Sequence, residues 1–218
     1  MARRLLTIAA EVVHMEATFR WSKLMSMTVG ERPATRAQET MLTVIAIVAA
    51  LLLAAFWGLA AGSASPELAL ADAYKVPMVI LLSALTALPA GLVTLRLTNA
   101  KLAGTELAGA FASSIFGGTL VLATLAPLVA IYYHTSAKTG VPLALGSVFV
   151  ALATASLLFA RAVGRRMDGL EGRGGSRLAV IVLVAIFLAA LLQFVAIASP
   201  IIGTHTAFEG GIDTTLWR

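Results

Sequence analysis

The sequence predicts an all-α fold: a polytopic membrane protein with a five-transmembrane-helix bundle and an N-terminal interfacial amphipathic helix. Three observations predict it. Hydrophobic residues make up 59% of the 218 and charged residues only 12%, against about 45–50% and about 25% in soluble domains. Five stretches stay apolar over the roughly 20 residues needed to cross a hydrocarbon core of about 30 Å. Thirteen of the sixteen Lys and Arg residues fall in three alternate segments, 1–39, 96–106 and 161–177.

Residues 1–39 are expected to form a cytoplasmic amphipathic helix and linker, 40–198 the five-helix domain, and 199–218 a short non-cytoplasmic tail. The start, Met1-Ala2-Arg3-Arg4-Leu5, imitates the basic end of a signal peptide. Glu11 and His14 interrupt the apolar run, and no small-residue cleavage site comes after it, so the segment is read as retained. Over residues 4–23 a narrow polar stripe, Arg4, Thr7, Glu11, His14, Thr18 and Ser22, recurs by threes and fours. The opposite face is apolar and includes Phe19 and Trp21. Such a helix is expected in the interface, with Phe19 and Trp21 as anchors and Arg20 and Lys23 at headgroups. Docking of the same face on another subunit is the rival reading. Residues 28–38, with Gly30, Pro33 and mixed charge, read as a linker.

The five spans are placed at Met41–Gly62, Val76–Leu95, Leu107–Tyr133, Val141–Ala160 and Leu178–Ala198. They must be helices, because a lone apolar strand leaves its backbone groups unsatisfied in lipid. Pro77 and Pro142 are read as first-turn prolines that start spans two and four, where a missing N–H costs nothing. Pro89 and Pro127 lie deeper and free the carbonyls of Leu85 and Ala123, with Thr86 and Thr124 near enough in sequence to compensate. They are either ordinary membrane-helix prolines or hinges.

Orientation is set by the loops. Lys and Arg number six in 1–39, two in 96–106 and five in 161–177, against one each in 63–75, 134–140 and 199–218. The positive-inside rule puts the N-terminus in the cytoplasm and, after five spans, the C-terminus outside. The same bias explains the basic pI near 10.1 without a nucleic-acid partner.

Two stripes of small residues suit close helix approach: Ala50, Ala54, Gly58 and Gly62 in span one, and Gly109, Ser113 and Gly117 in span three. They serve either packing within the bundle or a partner interface. The 161–177 segment, read as a flexible glycine-rich loop, offers Arg165, Arg166 and Arg173 to anionic lipid headgroups or to an acidic protein surface, or acts only as a topological anchor.

No ionisable residue stands near the middle of any predicted span, which argues against active transport by this chain alone. Gln193, the most polar side chain deep in a span, is expected to bond a neighbouring helix. The absence of cysteine excludes disulfides and thiolate chemistry. There is no HExxH, GxSxG, P-loop or dinucleotide fingerprint, and no metal or cofactor is expected. A surface metal site from His134, His205, Glu209 and Asp213 is the weakest candidate.

Several short motifs resemble a group of uncharacterised bacterial membrane proteins with five spans. They are Lys75-Val76-Pro77, Leu88-Pro89, Leu125-Ala126-Pro127-Leu128 before Tyr132-Tyr133, and Ser199-Pro200-Ile201-Ile202-Gly203. The resemblance covers roughly residues 70–213 and implies a fold, with no catalytic residue. Some of that group carry an actin-binding label that no feature of this chain supports. The group's pattern places Arg before the last proline, where this chain has Ser199, which weakens an anion role there. The five-span plan is also similar to the Yip-domain family, whose eukaryotic members look like trafficking adaptors.

The expected function is a non-catalytic membrane scaffold or accessory subunit that positions other membrane-protein subunits in a bacterial inner membrane. The alternative is a passive or partner-driven transport component, with a weakly polar path along Ser83, Thr86, Ser113, Ser114 and Thr124. A lipid-modifying enzyme acting through His134, His205 and Glu209 ranks last.

Overall fold

The computed structural model describes residues 22, 23, 25, 26, 28, 35–135, 137–167 and 173–198. Among these residues there is no strand, and five helices are long and apolar enough to cross a membrane. They are α1 (Arg36–Ala61), α2 (Pro66–Leu97), α3 (Gly104–Thr135), α4 (Ala137–Met167) and α5 (Arg173–Ile197).

Local chemistry sets their ends. Thr35 caps α1 by accepting from the Gln38 N–H, and Ser65 caps α2 by accepting from the Leu68 N–H, with Pro66 at the first helical position. The far end of α2 closes on Asn99, whose φ of 47° is the left-handed conformation. There the Ala100 N–H donates to the Leu95 carbonyl, the six-to-one bond of a Schellman turn. Glu106 then reaches back to the Ala103 N–H at the start of α3.

These caps correct the predicted spans. Pro77 and Pro142 do not begin helices; they lie inside α2 and α4, which start at Pro66 and Ala137. The 161–177 segment is not one loop, since residues 161–167 complete α4 and Arg173 opens α5. Pro89 and Pro127 sit within continuous helices. Thr86 and Thr124 do not reach the freed carbonyls: Thr86 donates to Leu82, and Thr124 to Leu120 and Val121.

The helices run alternately up and down. Neighbours in space are not always neighbours in sequence. α1 packs on α2 and α3, α3 packs on α4, and α5 returns to pack on α2, while α4 and α5 barely touch. The order around the bundle is therefore α5, α2, α1, α3, α4, with a loose seam between its two ends. The near end of the bundle is the one where α1 begins, and the far end is the one where α1 stops.

Small residues set the closest approaches, as expected where lipid removes the hydrophobic drive for helix pairing. A Cβ on Gly58 would lie 2.3 Å from the Asp72 carbonyl oxygen, and one on Gly62 2.6 Å from Ala69 Cα. Ala50 joins Leu42, Ala46 and Phe116 in the α1–α3 contact, and Ala54 belongs to the main core. On α3, Gly117 faces Leu158, and Gly118 faces the Ala151 carbonyl. Both stripes are thus used inside the bundle.

The predicted interfacial helix over residues 4–23 lies almost wholly outside the described residues, with Phe19, Arg20 and Trp21. Lys23 is within helical geometry. Thr28, read as linker, is helical and buried, with its methyl 4.0 Å from the Cβ position of Gly117. Gly117 is about 20 Å along α3 from its start. The segment before α1 therefore packs on the bundle at Thr28.

Candidate functional site

Three features combine buried polar groups with internal space. The first is an ion pair at the near end. Arg166, in the last turn of α4, is 1% exposed, and its Nη1 lies 3.4 Å from Oε1 of Glu39, itself 15% exposed. The same Nη1 donates to the Glu106 carbonyl in the first turn of α3. One guanidinium thus ties the ends of α1, α3 and α4. Gly109 makes room for it: a Cβ there would sit 3.3 Å from Glu39 Oε1 and 3.6 Å from Arg166 Nη1.

This corrects the role expected of Arg166, which is turned into the protein instead of toward headgroups. Arg165 is exposed beside it, and Arg173 opens α5.

The second feature is a carboxyl group that sequence reading missed. Asp72 is 0% exposed, and neither of its oxygens has a hydrogen-bond partner among the described residues. It lies on the buried stripe Leu68, Asp72, Val76, Val79 and Ser83 of α2, within electrostatic reach of Lys75 and of Tyr133 on α3. The Tyr133 hydroxyl and Ser63 Oγ are also buried with no hydrogen bond among the described residues. Placing the start of span two at Val76 left Asp72 in a loop. The signal that finds it is Ser65-Pro66-Glu67, a capping residue, a first-turn proline and an acid, which starts the helix ten residues earlier. An ionisable residue buried in a transmembrane helix is a functional candidate in its own right.

Burial of a carboxyl group without a partner is costly. Asp72→Asn keeps the shape and removes the charge, so it is expected to hold or raise the thermal midpoint in detergent. A clear drop would mean that the carboxylate has a partner.

The third feature is a cavity of about 240 Å³ in the core, lined by all five helices. Trp57 lies toward its far end, where its indole N–H donates to Ser147 Oγ at 3.1 Å and links α1 to α4. Phe187 lines it toward the near end. That ring packs edge-on against Phe111 at 5.2 Å, and Phe111 packs against Phe159 at 5.6 Å. The three rings link α5, α3 and α4, and of them Phe187 lines the cavity.

The residues of the expected polar path do not converge. Ser83, Ser113 and Ser114 are buried and donate to Val79, Ala110 and Phe111 of their own helices, whereas Thr86 and Thr124 are on exposed faces. Among the described residues no group of three or more His, Asp or Glu is placed to hold a metal. His134 is exposed at the end of α3, and His205, Glu209 and Asp213 lie outside the described residues. Gln193 is exposed on α5 and has no hydrogen bond to a neighbouring helix among the described residues. Comparison with protein-family models, curated proteins and solved structures finds no match for this chain.

Proposed function

We propose that this chain is a non-catalytic integral membrane subunit that anchors or positions partner proteins in a larger membrane complex. The observation that supports it best is a pair of buried polar contacts that tie helices together. Arg166 clamps three helices, Trp57 and Ser147 join α1 to α4, and the Ser and Thr hydroxyls return to their own carbonyls. A frame braced in this way suits a mechanical role. α5 is the least embedded helix, with 11% of its apolar span buried against 44% for α3, which leaves it a broad face for a neighbour.

The setting proposed is a bacterial inner membrane, with the near end cytoplasmic and the C-terminus outside. The support is the thirteen-to-three distribution of Lys and Arg. Native mass spectrometry after gentle solubilisation tests the reading. The expected result is an assembly heavier than the 22.6 kDa chain, with a co-purifying partner. A monomer in every mild detergent would sink it. Flux into liposomes above that of empty vesicles would favour the transport alternative.

A further inference from the structure

The cavity has a mouth. Of its lining side chains only two are exposed, Phe149 on α4 at 69% and Leu192 on α5 at 56%. They stand on the two sides of the loose seam between those helices. In a membrane that seam faces hydrocarbon. Along α5 the lining runs from Phe187 to Val195, about 12 Å of helix, well within a core of roughly 30 Å.

Water has little reason to enter. The polar groups on the wall are already engaged: the Trp57 indole N–H donates to Ser147, and the Thr119 hydroxyl donates to the Phe116 carbonyl. A buried water needs two to four polar partners, and apolar cavities as small as about 150 Å³ stay dry and take up apolar guests. At about 240 Å³ this one is larger. Toward the near end Phe187 is the last α5 residue on the wall, and its ring is backed by Phe111, itself packed on Phe159.

We infer that the cavity is a binding site for one acyl chain of a bilayer phospholipid, entering sideways between α4 and α5 past Phe149 and Leu192. The chain fills space that aliphatic and aromatic side chains leave open, and the headgroup stays outside with the surrounding lipid. This goes beyond the proposed scaffold role and does not depend on it.

Trp57 supplies the test. It is 2% exposed, so lipid on the outside of the bundle cannot touch it, while a chain in the cavity does. With Trp21→Phe and Trp217→Phe as background, Trp57 is the only tryptophan in the full chain. The protein is reconstituted in phosphatidylcholine vesicles brominated at mid-chain, bromine being a contact quencher. A loss of Trp57 emission of roughly twofold or more is expected, as for a pocket that encloses most of its ligand. Val148→Phe and Val195→Phe, which fill the cavity from opposite walls, are expected to restore the emission, with circular dichroism confirming that each remains helical. Unchanged Trp57 emission in brominated lipid overturns the site. So does equal quenching in a folded, filled variant. A second arm adds brominated free fatty acid to ordinary vesicles; quenching there and not with brominated phospholipid overturns the phospholipid as the source.

Discussion

Arg166→Ala is expected to lower the stability of the bundle by roughly 3–5 kcal/mol, the usual cost of breaking a buried ion pair from one side. Arg166 is 1% exposed and joins Glu39 of α1 to the Glu106 carbonyl of α3. Removing it takes the guanidinium from the Glu39 carboxylate and unties three helix ends together. Glu39→Gln is expected to cost less, about 1–3 kcal/mol, because the Glu106 carbonyl still accepts from the guanidinium. The double variant Glu39→Met with Arg166→Met removes both charges and fills the space, and it is expected to recover most of the loss. Unfolding curves in detergent, read as a double-mutant cycle, check all three. If every variant melts with the parent protein, the clamp has no energetic role.

The second large effect is expected at Gly58. Its missing side chain lets α1 meet the backbone of α2, and a Cβ would sit 2.3 Å from the Asp72 oxygen and 2.7 Å from the Asp72 carbonyl carbon. A backbone cannot rotate away as a side chain can. Gly58→Ala is therefore expected to cost at least the roughly 1–3 kcal/mol typical of overpacking, and Gly58→Leu is expected to separate the two helices. Gly117→Ala is a milder case, since the atom in the way is Leu158 Cδ1, the end of a flexible side chain. Gly146 and Gly164 have nothing within 4 Å of the Cβ position. Alanine there is expected to be neutral or to gain up to about 1 kcal/mol through helix propensity. Equal melting temperatures for Gly58→Ala and Gly146→Ala would contradict the close approach.

How far the sequence reveals this molecule depends on what hydropathy measures. It finds the width of the hydrocarbon layer, and so the number and order of the five helices were legible. It does not see where a helix continues past that layer. Thr35 and Ser65 carry that information as caps, which is why α2 begins at Pro66 and brings Asp72 into the buried stripe. Nor does it show which face of an apolar helix meets protein, because a lipid-facing Leu and a core Leu look alike in sequence. The small-residue stripes held part of that answer, at Gly58 and Gly109. The pairing of α5 with α2 was not legible, and neither was the cavity that the loose seam leaves. Arg166 misled for a related reason: a cluster of arginines after a span signals orientation, and nothing in the spacing says that one of them turns inward.

The order α5, α2, α1, α3, α4 also bears on how the chain is made. As the helices enter the membrane one after another, α1 and α2 form a hairpin, α3 joins α1, and α4 joins α3, each new helix finding a partner already in place. α5 emerges beside α4, yet its partner is α2, on the other flank of the bundle. Without α5 the wall carrying Phe187, Leu191 and Val195 is missing from the cavity that Trp57 lines. The helix that completes the wall of the interior is thus the one whose main partner lies farthest back in the chain.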